Sequence, residues 1–412
     1  MGKETAICLE NLSFALGGKE ILSEISLEIK KGDFVGLIGP NGAGKTTLLK
    51  SINGLRKAQG KIFLLGKNTK GMKEKVLAKQ IALMKQDLEL NFPFTAREVV
   101  LMGRYPHLDW TKQESRRDRE ITEKFMEYTG TLPLAEKRIT QVSGGERQRV
   151  MFAKVLTQET PIILLDEPTS NLDLAYQEQL FSYGQEFCRQ GGTIVAAIHD
   201  LKVAAKYCQK LVLLKKGKII AQGSPAEVLT SQNLQEAYGV AALVYCNQIT
   251  GEYDIYLPQL SKNQDGQKIH LIGGGGLATP LLRELYKKGC QLSMGVISQG
   301  DSDGESARVF GIPAVFNPPF TPIREEALRA NQQLIQSSDW TILCSLPFGQ
   351  NNLANLQAAG CAKRLLIIED ETIEKRDYTG GKALEVYNQL KKQAVVLPSH
   401  QVMDYLMKGG AN

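Results

Sequence analysis

Nine consecutive residues constrain this chain more tightly than any others. Gly39-Pro40-Asn41-Gly42-Ala43-Gly44-Lys45-Thr46-Thr47 fits the pattern GxxxxGK[ST], follows the apolar run Phe34 to Ile38, and leads into the helical pattern Leu48-Leu49-Lys50. A strand, a glycine loop and a helix in that order form a phosphate cradle. The glycines turn backbone N–H groups inward at dihedrals other residues resist, and the helix adds its positive N-terminal end. Lys45 supplies a point charge for the β and γ phosphates of a nucleotide, and the Thr46 hydroxyl is a ligand for Mg²⁺.

A parallel sheet presents its ligand edge at the carboxyl ends of its strands. Ile162-Ile163-Leu164-Leu165-Asp166-Glu167 is an apolar run ending in two acids, as that edge requires. Asp166 suits the Mg²⁺ shell. Glu167, one residue further on, is placed to orient or deprotonate an attacking water.

Val142-Ser143-Gly144-Gly145-Glu146-Arg147-Gln148-Arg149 makes the pattern specific. With this string in place, residues 1–258 resemble the ATPases of ABC transporters. The resemblance implies that Ser143, Gly144 and Gly145 contact ATP held by a second copy of the chain, at a helix start that favours an anion. It also implies that Gln86 touches Mg²⁺ and the attacking water, that Asp173 meets the opposite copy, and that His199 contacts the γ-phosphate. Members of that family usually stack an aromatic ring on adenine from the position of Leu16; an aliphatic contact there would bind the base more weakly, because only area burial remains. The stretch Phe94 to Leu108 resembles importers of iron–siderophore complexes, haem and vitamin B12, in which this region faces a membrane permease. Its residues read as an apolar and basic surface able to receive a partner helix.

At 412 residues the chain exceeds one ordinary core. With 42% hydrophobic and 23% charged residues it should fold, its apolar runs are strand-sized, and its start carries no secretory signal pattern. These features place it in the cytoplasm, at the inner face of the membrane if it serves a permease. A net charge of +6 without a long basic block gives no footprint for nucleic acid. Seven scattered cysteines without a CxxC pair read as reduced, buried thiols, and His107, His270 and His400 read as structural or surface residues. An ABC ATPase of DNA repair or translation is the alternative reading, but such relatives usually add coiled coils, zinc modules or a second ATPase domain.

The expected fold is α/β. A nucleotide-binding domain with a helical insertion from Thr95 to about Arg138 closes with short strands and turns up to Leu257, and a polar stretch, Ser261 to Gly266, precedes a second, smaller Rossmann-like domain over 266–412. Six strand candidates are legible there: Lys268 to Ile272, Gln291 to Ile297, Ala314 to Asn317, Thr341 to Ser345, Arg364 to Ile368 and Ala394 to Leu397. Gly273-Gly274-Gly275-Gly276-Leu277-Ala278 satisfies GxGxx[GA] after the first, the arrangement of a dinucleotide-binding turn. Asp301 is the candidate acid for a ribose hydroxyl; capping of the next helix is the competing role. Pro318-Pro319-Phe320 and Pro347 to Asn352 also follow strands. This half resembles a domain appended to some corrinoid and iron-complex importer ATPases, which tilts the cargo toward a cobalamin-like corrinoid. A small-molecule or dinucleotide ligand that regulates the ATPase is the expected role, and a small enzyme acting on the cargo the alternative. Such importers also work with a substrate-binding protein.

Overall fold

The computed structural model describes residues 4–85, 93–108, 114–169, 172–240, 242–247, 251–257 and 266–407. The chain divides into two units, Met1–Ala241 with Cys246–Ile255, and Ala242–Tyr245 with Tyr256–Asn412. The polar boundary expected from the sequence lies almost entirely outside the described residues.

Unit 1 is built on two sheets. β1 (Thr5–Leu16) and β2 (Lys19–Lys30) form an antiparallel hairpin through the Gly17-Gly18 turn, extended by β4 (Gln59–Leu64) and β5 (Lys67–Asn68). β3 (Phe34–Ile38), β6 (Ile81–Met84), β7 (Ile162–Asp166), β8 (Thr193–Ala197), β9 (Lys210–Lys215) and β10 (Lys218–Gly223) form the second sheet in the order β10-β9-β3-β8-β7-β6. All neighbours in it are parallel except the β10 edge. β3, β7 and β8 are buried along their whole length, which is why they read as unbroken apolar runs instead of alternating ones. Leu48, Leu49 and Ile52 of the helix Lys45–Ile52 join Val35, Leu37 and Leu164 in one core. Each such side chain contributes roughly 1.5–3 kcal/mol on burial.

The register fixes the site: Leu37 of β3 and Asp166 of β7 both stand beside Ala197 of β8. The residues following these strands therefore leave from one edge. The helices Ala96–Leu101 and Arg116–Tyr128 form the expected helical insertion, and Gly144–Thr157, beyond its expected end, packs against both.

One part of unit 1 departs from expectation. The stretch read as short strands and turns contains the helices Pro225–Val228 and Ser231–Tyr238. Ser224 and Glu227 form a capping box with Pro225 in the first turn, Thr230 caps the second helix, and Gly239 ends it in the left-handed region.

After β11 (Leu243–Cys246) and β12 (Tyr253–Tyr256), unit 2 carries β13 (Lys268–Ile272), β14 (Gln291–Ser298), β15 (Ala314–Asn317), β16 (Trp340–Leu343), β17 (Leu365–Ile368) and β18 (Val395–Leu397). They form one parallel sheet in the order β15-β14-β13-β16-β17-β18, and every crossover contains a helix. That is the strand order of doubly wound dinucleotide folds, with the topological switch point between β13 and β16. All seven cysteines are free, but only Cys188, Cys208 and Cys344 are buried and Cys246 is exposed, so the expectation of buried thiols holds for part of the set.

Candidate functional site

The cradle begins where β3 ends. Gly39 has φ 143°, and a Cβ there would lie 2.2 Å from the Leu214 carbonyl oxygen of β9. Gly44, at φ 106°, passes so close to β2 that a Cβ would meet Leu22 at 2.9 Å. Only glycine lets the loop turn between these two strands. Lys45 opens the helix and folds back over the loop, its Nζ donating to the carbonyls of Gly39 at 2.6 Å and Pro40 at 3.2 Å. Burial holds the Lys45 amine below its ordinary pKa, with the charges of Glu167 and Asp166 opposing.

Thr46 Oγ1 donates to Asp166 Oδ1 at 2.8 Å. Asp166 is 1% exposed, and burial raises its carboxyl above the usual carboxylate range while Thr46, Lys50 and Lys45 pull it down. Two hard oxygen donors this close suit Mg²⁺, which takes one or two protein oxygens and completes its octahedron with water and phosphate.

Glu167 leaves β7 at φ 51°, a left-handed conformation that costs a non-glycine residue about 1–3 kcal/mol. Its amide donates to Ala197 at 3.2 Å, and its Oε1 meets Nε2 of His199, which follows β8. Gln148 holds the same turn from beneath, its Nε2 donating to the carbonyls of Glu167 at 3.3 Å and Pro168 at 2.7 Å. The helix that begins at Ser143 is thus tied directly to the backbone of the acid. Gln148 had no role in the sequence reading; its place inside the Ser143 to Arg149 string was the available signal.

These groups share a cleft of about 1020 Å³, with the loop Asn41–Thr47 as floor, Glu167 and His199 at one end, and Lys19, Glu20, Ile21 and Lys216 as walls. Leu16, expected against the base, is 54% exposed at the end of β1 and is not among the lining residues, whereas Lys19, Glu20 and Ile21 at the start of β2 are. Gln86 lies outside the described residues. Ser143 caps the helix Gly144–Thr157, accepting from Glu146 N at 3.2 Å while Glu146 accepts from Ser143 N at 2.8 Å. Ser143 and Gly144 are exposed, Gly145 is half-buried, and none of the three lines this cleft. Asp173 is exposed and caps Leu174–Arg189 through Tyr176 N.

The segment Phe94 to Leu108 is less basic at its surface than the sequence suggested. Arg104 is buried on Asp118 at 2.9 Å and on the Thr157 carbonyl at 2.9 Å, and Arg97 is paired with Glu123 and Glu136. Thr95 and Glu98 form a capping box. The residues that remain exposed include the apolar Phe94 and Tyr105 and the acidic Glu98.

Unit 2 corrects the expected dinucleotide turn. The amides of Gly274, Ala278 and Thr279 donate to Asp303, at 2.8, 3.1 and 2.8 Å, and that of Gly275 donates to Asp301 at 2.8 Å. Asp301 also caps the helix Ser302–Val309 through Asp303 N. The donors that would face a pyrophosphate are engaged by the chain's own carboxylates, and Asp301 serves as a cap. Of the other loops named from the sequence, Phe320 is 95% exposed and Phe348 is fully buried.

A strand–glycine loop–helix cradle, a Thr–Asp pair and a Glu–His pair on one sheet edge define a P-loop nucleoside triphosphate hydrolase. The ABC transporter family model matches residues 22–170, and a model described as the MJ0874 family matches residues 292–403. The chain is 36% identical over 317 residues to the cobalamin import ATP-binding protein BtuD of Halobacterium salinarum, covering 76% of this chain and 79% of that one. It is 37% identical over 244 residues to the ferric enterobactin transport ATP-binding protein FepC of Escherichia coli, covering 59% and 90%. Among solved structures it resembles a transporter assigned to the metal-chelate type in an inward-facing conformation, with 28% identity, a TM-score of 0.54, and coverage of 62% and 97%. It also resembles the ADP-bound cassette MJ1267, with 25% identity, a TM-score of 0.51, and coverage of 57% and 98%. The chain belongs to the ATP-binding proteins of ABC transporters, and unit 1 is its ATPase cassette.

Proposed function

We propose that this chain energises uptake of a metal chelate, with a cobalamin-like corrinoid the best-supported cargo. The observation that carries the cargo is the reach of the Halobacterium relative: 317 aligned residues are more than unit 1 contains, so the likeness to a protein named for cobalamin import continues into unit 2.

In this reading two copies close around two ATP molecules. The loop Gly39–Thr47 holds the phosphates of one, and the exposed Ser143 and Gly145 of the other copy cover its γ-phosphate. Glu167 orients the attacking water and takes its proton, and His199, already on the Glu167 carboxylate, steadies that group and reaches the γ-phosphate. Thr46 and Asp166, with Gln86, would hold Mg²⁺, which when bound neutralises charge on the β and γ oxygens. Phe94 and Tyr105 would give a permease an apolar contact, and in this reading the chain works at the cytoplasmic face of the membrane with a substrate-binding protein on the far side. No helix among the described residues is long and apolar enough to cross a membrane. Unit 2 senses a ligand and regulates the cassette.

The test is uptake of labelled cyanocobalamin, ferric enterobactin and haem by cells lacking this chain, complemented with wild type or Glu167→Gln. Cobalamin uptake restored by wild type alone supports the proposal, and undiminished cobalamin uptake without the chain contradicts it.

A further inference from the structure

At the carboxyl edge of the unit 2 sheet, where β13 and β16 diverge, lies a crevice of about 390 Å³, at the small end of ligand pockets. It opens between the turns that follow β13, β16, β17 and β18. Its apolar wall includes Leu281 and Met403, and its polar groups include Ser345, Glu284, Asp370 and His400. Among the described residues, no lysine or arginine lines it.

Two independent features set the charge of what it takes. Beside it, four amides of the glycine turn, those of Gly274, Gly275, Ala278 and Thr279, are spent on Asp301 and Asp303, and Asp303 is completely buried with Thr279 Oγ1 donating to it as well, at 2.7 Å. A phosphate brought there would meet a carboxylate already in possession of its donors. Among the described residues, the acidic side chains that line the crevice are Glu284 and Asp370, and the one basic side chain is His400. The Cys344 thiol that also lines it is pushed up to about 12, chiefly by burial and to a lesser extent by Asp303 and Asp370.

We infer that this crevice binds a small amine or other cationic molecule with an apolar body, and that unit 2 does not bind a dinucleotide. The inference rests on unit 2 being a ligand-sensing unit, but binding and sensing are read separately.

The full chain, with ADP at saturation to fill unit 1, is titrated by calorimetry with tryptamine, with indole-3-acetate as the anion of the same skeleton, and with NAD. Saturable binding of tryptamine at about millimolar concentration or below, at least about tenfold weaker binding of indole-3-acetate, and none of NAD, is the expected result. Glu284→Gln with Asp370→Asn keeps side-chain size and the acceptor for the Ser399 amide, now at 2.8 Å, and should weaken tryptamine about tenfold with basal ATP hydrolysis unchanged. Equal or tighter binding of the anion or of NAD, no saturable tryptamine binding, or unaltered binding by the double variant would overturn the inference. If tryptamine binds as expected yet leaves ATP hydrolysis unchanged, the ligand class stands and the sensing role falls.

Discussion

Thr46 Oγ1 lies 2.8 Å from Asp166 Oδ1 across 120 residues of sequence, so one hydrogen bond ties the glycine loop to the end of β7. Asp166→Asn keeps this bond and removes the charge. Mg²⁺ affinity depends on ligand charge, so the variant should need at least about tenfold more Mg²⁺ for half-maximal ATP hydrolysis. Hydrolysis measured against Mg²⁺ concentration checks this; an unchanged requirement would remove Asp166 from the metal site.

Gly39 and Gly42 should respond differently to alanine. At Gly39 a Cβ would strike the Leu214 carbonyl oxygen at 2.2 Å, whereas at Gly42, φ 77°, nothing lies within 4 Å. Gly42→Ala should cost only the conformational strain of about 1–2 kcal/mol, and Gly39→Ala clearly more, with loss of ATP binding. Urea unfolding and nucleotide titration of both variants give the comparison.

Gln148 is a positioning residue, acting on Glu167 through its backbone. Removing it takes one donor from the carbonyls of Glu167 and Pro168, an effect of about 1–3 kcal/mol, and loosens a strained turn. Gln148→Ala should lower kcat about tenfold or more with KM for ATP nearly unchanged. A purely structural residue would lower the amount of folded protein and leave kcat of the folded fraction intact.

Burial pushes the His270 imidazole down to about 4, against an ordinary value near 6.5. Its Nδ1 meets Ser293 Oγ at 2.9 Å and the ring is fully buried. The fold therefore favours the neutral ring, while the unfolded chain takes up a proton near pH 6.5. The stability this contributes is fully present above about 6.5 and is lost progressively as pH falls toward 4, up to about 3 kcal/mol. Urea midpoints of unit 2, followed by the buried Trp340, should fall over that window, and His270→Gln should flatten the slope.

The layout of the cleft was legible because its parts are short and local. A buried strand ending in glycines or acids announces both itself and its edge, and β3, β7 and β8 bring Lys45, Thr46, Asp166, Glu167 and His199 to one place. What was not legible depends on side-chain direction. Arg104 looked like surface charge because its partners, Asp118 and the Thr157 carbonyl, are 14 and 53 residues away. The GxGxx[GA] turn says nothing about where an aspartate some 25 residues later points, and a difference of two positions separates the cap Asp301 from the buried Asp303. The helices Pro225–Val228 and Ser231–Tyr238 are each so short that capping, in Ser224 with Glu227 and in Thr230, outweighs periodicity as their signal.

Glu167 carries the central claim, that this cleft hydrolyses ATP with Glu167 as base and closes between two copies. ATP binding, turnover and molecular mass in Mg-ATP should be measured together for wild type and Glu167→Gln. The account expects wild type to turn over and the variant to bind ATP, to lose at least about 100-fold in turnover, and to accumulate as a dimer. Hydrolysis by Glu167→Gln at the wild-type rate would contradict it.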